Sequence, residues 1–213
     1  MKEPQKLVSV LWLVLLNLYS VFLLGQSFSN EVPWKLVSSE DGMEVFTQTS
    51  EDSPIKAVRI SYNVKASLEC VQNFLAEVPQ YTDWVYKCVT ATNIKSVSQN
   101  EFYYYIALDF PFPMSNRDIA IHSNHFIDSL GSYHSYSKAY VDSNYFDNNN
   151  VHINEFESNW NITTTGDDAV KIDYYAFSNP SGDIPVWLIN LAIAEGPKQT
   201  MNKFKEIIEK HCE

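Results

Sequence analysis

Arg117 and Asp118 are the sharpest charged pair in the chain, adjacent at the start of a strand-like run. Such a pair can meet a ligand headgroup. It can also fix the neighbouring loop as a structural ion pair, because buried charge needs a partner. The loop-fixing reading is the plainer one. His122 and His125 follow in the same run, three positions apart. Strand side chains alternate, so these two rings point to opposite faces and do not share a metal. His134, His152 and His211 are scattered. The chain has no HExxH, no GxSxG, no glycine-rich phosphate loop and no convergent carboxylate pair. His125, Asp109 and Tyr104 are the only candidates for an acid or base in a buried site. No catalytic residue is assigned, and neither a cofactor nor a metal is expected. Asn161-Ile162-Thr163 fits a glycosylation acceptor but lies inside a predicted strand.

The cysteines are Cys70, Cys88 and Cys212, with no CxxC and no histidine at ligand spacing. An exported chain permits one disulfide among them and leaves one thiol. The plainer reading makes them small buried or terminal residues. The formal charge of −11 argues against nucleic acid and against electrostatic adhesion to anionic membranes. Apolar residues make up 45% of the chain, enough for a sizeable core and too many for wholesale disorder.

The N-terminus has the layout of a secretory signal. Lys2 and Lys6 flank Glu3, Leu7–Leu24 is nearly all apolar, and Gly25 to Ser29 are mostly small or polar. Residues 1–25 are therefore expected to be a signal peptide or, if uncleaved, a membrane anchor. The protein is expected to be exported, periplasmic or secreted, or else membrane-anchored. Residues 30–213 form the remaining domain.

The elements that position the candidate residues follow from periodicity. Val58, Ile60, Tyr62 and Val64 alternate with polar residues, which marks a half-buried strand. Ser67 caps a predicted helix with Leu68, Val71, Leu75 and Val78 on one face, ended by Pro79. A short helical turn carries Tyr81 and Trp84. Phe102, Tyr104, Ile106 and Leu108 share one face of the next long strand. The loop Phe110–Asn116 leads into Arg117–Ile127, with Ile119 and Ile121 on one face. Ser132–Val141 is polar and rich in Tyr and Ser, with one wet face expected. Two further strands meet at Gly166-Asp167. Asp183 is placed as a helix cap and Pro185 in the first turn. The helix that follows starts with the apolar run Ile184, Val186, Trp187, Leu188 and Ile189, which cannot face water on most sides. A kink is expected at Gly196-Pro197, with Met201, Phe204 and Ile208 on the packed face behind it. Eight or nine hairpin-spaced strands closed by a long helix read as α+β with an antiparallel sheet that curls.

Four segments carry a family resemblance: Trp34-x-Leu-Val, Asp41-Gly42-x-x-Val45-Phe46, Phe110-Pro-Phe-Pro-Met-Ser-Asn-Arg-Asp118 and Asn179-Pro-Ser-Gly-Asp-Ile-Pro-Val-Trp-Leu-Ile-Asn190. In order and spacing they resemble the START (steroidogenic-acute-regulatory-protein-related lipid transfer) domain, closest to its phosphatidylcholine-transfer branch. The resemblance implies a helix-grip fold: a curved antiparallel β-sheet around a long C-terminal helix, with an internal hydrophobic cavity for one lipid. It also implies a non-catalytic module, with Phe110–Asn116 and the C-terminal helix as lid.

Residue by residue, the choline cage of that branch falls on Ile106, Ile119 and Phe156, and two isoleucines cannot make a cation–π cage. The branch's phosphate-binding arginine falls on Tyr81. The acid–arginine pair of sterol-binding members falls on Tyr104 and Ser123. The expected cavity wall and lid are Ile60, Tyr62, Tyr81, Tyr104, Ile106 and Leu108, with Phe112, Met114, Ile119 and Ile121, and Phe156, Tyr174, Trp187 and Leu191. The expected partner is a lipid or other hydrophobic small molecule, bound by a monomer with transient membrane contact. The alternative is an enzyme of the same fold, a cyclase, aromatase or hydrolase acting on a hydrophobic substrate.

Overall fold

The computed structural model describes residues 32–50, 52–147 and 149–212. The expected signal segment lies outside the described residues. Among the described residues there are ten strands: β1 (Lys35–Glu40), β2 (Met43–Gln48), β3 (Ala57–Val64), β4 (Cys88–Ser98), β5 (Glu101–Leu108), β6 (Arg117–Ile127), β7 (Tyr133–Ala139), β8 (Val151–His152), β9 (Glu155–Gly166) and β10 (Ala169–Asn179). The helices are α1 (Leu68–Ala76), α2 (Tyr81–Trp84), α3 (Val186–Ala192) and α4 (Glu195–His211). The strands form one sheet in the order β1-β2-β3-β10-β9-β7-β6-β5-β4, and β8 pairs with β6 off that path. Adjacent strands are antiparallel along the whole path; only the short β8 runs parallel to its neighbour. The expected α+β class is observed.

Local chemistry explains the element ends. Asp41 and Gly42 both have positive φ, 50° and 75°, the backbone that a two-residue hairpin turn needs between right-twisted strands. Ser67 caps α1 by accepting from the Cys70 N–H at 3.2 Å. Pro185 stands at the cap of α3, and no side chain caps that helix, so the Asp183 cap is not formed. The C-terminal helix is interrupted, as expected, but earlier than expected. α3 ends at Ala192, and Pro197 sits in the first turn of α4. There its missing N–H costs nothing, because the first-turn donors have no partner within a helix.

Alternation sorts the sheet into two faces. Val58, Ile60 and Tyr62 of β3, Ile119 and Ile121 of β6, and Ile162 and Ile172 of β9 and β10 are all buried. Against this inner face lie α1, α2 and α4. Met201, Phe204 and Ile208 of α4 are completely buried at i, i+3 and i+7, the packed face that the spacing predicts. Phe204 is ringed by aromatic neighbours, with centroids 5.6 Å from Phe74, 5.1 Å from Trp84 and 5.2 Å from Trp160. A disulfide joins Cys70 in α1 to Cys212 at the end of α4. The single disulfide permitted by the composition therefore forms, and the plainer reading of these two cysteines is corrected. Cys88 is the free, buried thiol.

Candidate functional site

The register brings an unusual set of side chains to the centre of the inner face. Ser123 pairs with Ser137, and Ser137 pairs with Ser158, so three adjacent strands each present a serine in one row. All three are buried, as is Ser135 beside them. Ser123 Oγ lies 2.8 Å from Ser137 Oγ and 2.8 Å from His125 Nε2. His125 Nδ1 meets the Tyr133 hydroxyl. The Tyr104 hydroxyl faces Ser137, and the Tyr174 hydroxyl faces Ser158. Buried hydroxyls satisfy one another in this way because each can both donate and accept.

Burial sets the electrostatics. It pushes the Tyr104, Tyr133 and Tyr174 hydroxyls well above their ordinary range, so all three are neutral donors. It lowers the His125 imidazole to about 4, so that ring is neutral at physiological pH. A neutral imidazole has one donor and one acceptor, and Tyr133 and Ser123 take one each. No carboxylate bonds His125 among the described residues. The nucleophile–base–acid arrangement that activates a serine is therefore not assembled here. Asp109 lies away from the site, where it pairs with Lys87 at 3.4 Å with both side chains half exposed. Among the described residues no cluster of His, Cys, Asp or Glu could hold a metal ion.

The structure separates the expected wall residues into three groups. Ile60, Tyr62, Tyr81, Tyr104, Ile106, Ile119 and Ile121 are buried on the inner side, and Leu108, Phe156 and Tyr174 pack against that core while partly buried. Tyr81 donates to the Leu75 carbonyl at 2.6 Å and packs edge-on to Tyr104 at 5.4 Å, a structural use of a position aligned with a phosphate-binding arginine. Tyr62 Oη is 3.4 Å from Met201 Sδ.

Trp187 and Leu191 are corrected: they are 69% and 77% exposed and do not line the interior. The reason lies in the break after Ala192. α4 supplies the gripping face, while α3 is tied to the β2–β3 loop by Asn190, which accepts from the Lys56 N–H and donates to the Pro54 carbonyl, both at 2.8 Å. Phe112, at the tip of the Phe110–Asn116 loop, is 96% exposed, and Met114 is only partly buried. An open depression of about 400 Å³ is lined by Lys138, Glu155, Glu157 and Phe177 with Ala139, Asn154 and Phe156. Lys138 and Phe177 both pair with Glu157, the neighbour of inward Ser158, so this depression belongs mainly to the outer face.

Arg117 and Asp118 do not pair with each other, which corrects the expected ion pair. As neighbours in a strand they point to opposite faces. Arg117 donates to the Ser115, Pro180 and Ser181 carbonyls and stacks over Phe110, with Cζ 4.4 Å from the ring centroid. It ties the Phe110–Asn116 loop to the turn before α3. Asp118 is fully buried on the other side and accepts from Tyr105 Oη and the Asp147 N–H, and it contacts His152 Nδ1. It holds the β7–β8 connector and β8 against the sheet. Sequence reasoning missed Tyr133, Ser135, Ser137 and Ser158. The available signal was parity: Tyr133, Ser135 and Ser137 alternate with His134, Tyr136 and Lys138. The wet face of β7 is the Tyr136–Lys138 face, and the serine face is dry.

A curved antiparallel sheet gripping a C-terminal helix defines the helix-grip class of α+β proteins. Within that class, the START domain matches residues 23–213 of this chain. The chain belongs to the START domain family, a family that binds lipids. It is 27% identical to the phosphatidylcholine transfer protein of Bos taurus over 172 residues, 76% of this chain and 78% of that protein. Among solved structures it resembles the STAR-related lipid transfer protein of Xanthomonas axonopodis (TM-score 0.76, 24% identity), covering 82% of this chain and 98% of that one. It also resembles human STARD10 (TM-score 0.74, 20% identity), covering 86% of this chain and 74% of that one. These two likenesses bear on the fold.

Proposed function

We propose that the protein binds one lipid or other hydrophobic molecule between the sheet and the helices, and exchanges it at a membrane surface without catalysing a reaction. The observation that carries this reading is α3. An apolar helix of seven residues exposes Val186, Trp187, Leu188 and Leu191, with Phe112 at 96% exposure on the loop that Arg117 ties to its base. Exposed Trp and Phe beside aliphatic residues suit the lipid–water boundary, where an apolar ring is buried and the backbone stays wet. Each buried methylene of a guest chain contributes about 0.8 kcal/mol. The Cys70–Cys212 disulfide supports an oxidising, exported location for the domain. We read the protein as a monomer.

The test combines vesicle flotation with native mass spectrometry of purified protein and extraction of its bound lipid. Trp187→Ala and Phe112→Ala should each reduce vesicle association several-fold and slow lipid exchange. Protein that takes up no lipid from a broad panel, and ignores vesicles whatever these residues are, rules the reading out. The enzyme alternative would require activity on a hydrophobic substrate that disappears when His125 is replaced.

A further inference from the structure

We propose that the tip of the β6–β7 hairpin, with Phe126, Ile127 and Leu130, is a second membrane contact, which inserts into the surface of a zwitterionic bilayer at the end of β6 opposite the Phe112 loop. This contact is additional to the α3 and Phe112 face, and the test reads the two apart.

Alternation along a strand ordinarily leaves apolar residues on one face and polar residues on the other. The hairpin tip departs from that pattern. Phe126 has the outward parity, Ile127 has the inward parity of Ile121 and Ser123, and both are exposed. Leu130, in the turn, is 89% exposed. Apolar side chains thus surround the tip instead of covering one side of it. A protein partner buries one side of a projection, whereas a bilayer surrounds what enters it. Behind the tip, the His134 and Tyr136 rings lie nearly parallel to Phe126, with centroids 4.8 and 5.8 Å away. Rings with an apolar body and a polar edge, set behind aliphatic side chains, suit the headgroup level of a membrane.

The backbone of the turn is prepared to leave water. Lipid offers no partner to a bare N–H, so a segment that enters it must satisfy its own. Leu130 and Ser132 donate their N–H groups to Asp128 Oδ1 at 2.8 and 2.9 Å. Gly131 donates to the Asp128 carbonyl at 3.1 Å, and Asp128 donates to the Ser132 carbonyl at 2.9 Å. The other carboxylate oxygen of Asp128 lies 2.9 Å from His134 Nε2. Asp128 is the only charged residue in the turn, and its carboxylate is bound on both oxygens within the hairpin.

Surrounding charge selects the kind of surface. β7 and β9 pair Tyr133 with Ile162, and both chains run past that pair to their turns. The β9–β10 turn therefore lies at the same end, with Asp167 and Asp168 exposed. Neither turn contains Lys or Arg. An acidic rim is repelled by anionic headgroups and complements the ammonium groups of phosphatidylcholine. The 11 residues of β6 separate this end from the Phe110–Asn116 loop by roughly 33 Å of strand. Apolar tips at both ends of one strand let a single domain touch two apposed bilayers.

The experiment mixes the full chain with phosphatidylcholine vesicles and reads flotation, and vesicle clustering by light scattering. The wild type should float and should cluster vesicles, less so when they contain phosphatidylglycerol. I127S/L130S should lose clustering and still float through α3 and Phe112. F112A/W187A should also lose clustering and float several-fold less, and the combination of all four substitutions should not float. Hydrogen exchange on the wild type needs no variant: added vesicles should slow exchange across residues 126–136. Clustering by folded I127S/L130S equal to that of the wild type overturns the hairpin contact, and so does exchange at 126–136 that vesicles leave unchanged. Protection there that grows with protein concentration without vesicles assigns the tip to a second copy of the chain and overturns the bilayer contact. Flotation lost in I127S/L130S but unchanged in F112A/W187A overturns the α3 contact and leaves the hairpin. A wild type that never floats overturns both.

Discussion

Arg117 is 2% exposed, and its guanidinium is consumed by the Ser115, Pro180 and Ser181 carbonyls. Those carbonyls belong to two separate loops, so one side chain holds the Phe110–Asn116 loop to the turn before α3. Arg117→Ala should cost roughly 2–4 kcal/mol, because the loop carbonyls lose a charged donor and a buried stem disappears. Arg117→Lys should recover only part of it, since a point charge cannot span the fork that reaches both loops. Thermal melts of the two variants decide this. His125 supports a pH prediction. Its imidazole titrates at 6.5 when unfolded and at about 4 when folded, so the unfolded state binds more protons between those values. The stabilising contribution is fully present above pH 6.5 and is lost as pH falls toward 4, by roughly 3 kcal/mol. Urea unfolding at pH 7, 5.5 and 4 should show this slope in the wild type and a shallower one in His125→Gln. An unchanged slope would mean that other groups carry the acid limb.

The two C-terminal helices do different work. α4 is fixed by Met201, Phe204 and Ile208 inside and by Cys212 at its end. Phe204→Ala should cost about 3–5 kcal/mol, since it opens a cavity among three aromatic neighbours. Replacing Cys70 and Cys212 by Ser removes a cross-link over a sequence separation of 142 residues and should cost about 3–5 kcal/mol. The same loss should follow reduction of the wild type, read as a drop in Tm with added thiol. Trp187→Ala should change stability by less than about 0.5 kcal/mol, as surface substitutions do. If its cost matched that of Phe204→Ala, Trp187 would be a core residue in solution and α3 would not be a free apolar face. α3, by contrast, exposes most of its side chains, is tied to the β2–β3 loop through Asn190, and meets α4 at the Ile193–Ala194 turn.

At the scale of the whole molecule, the formal charge of −11 sets how the proposed membrane contact should respond to headgroup charge. A strongly acidic body is repelled by anionic headgroups, so vesicle association should be driven by the apolar face of α3 and Phe112 rather than by charge. Binding to vesicles of uncharged or zwitterionic surface should equal or exceed binding to phosphatidylglycerol vesicles. Added salt should narrow the gap by screening the repulsion. Flotation across a salt series measures both effects. Tighter binding to anionic vesicles at low salt would require a basic surface patch that the composition does not predict. Among the described residues no helix is long and apolar enough to cross a membrane.

The sequence determined the sheet-and-helix class, the inner faces of β3, β5 and β6, the Ser67 cap, the Asp41-Gly42 turn and the packed face of α4. These features are written in short-range periodicity and turn chemistry, which survive folding because neighbouring residues alone decide them. The family also follows from the sequence, through the order and spacing of four segments. Tertiary structure decided what depends on distant partners. Arg117 and Asp118 are adjacent in the chain, yet the pleat sends them to opposite faces and to partners 63 and 34 residues away. The serine row is invisible in the sequence because Ser123, Ser137 and Ser158 meet only once three strands are in register. The Cys70–Cys212 bond needed α1 and the end of α4 to be brought together. The apolar run at Val186–Leu191 looked like a buried helix by composition alone. Burial, however, is a property of what lies opposite a side chain, and among the described residues little lies opposite Trp187 and Leu191.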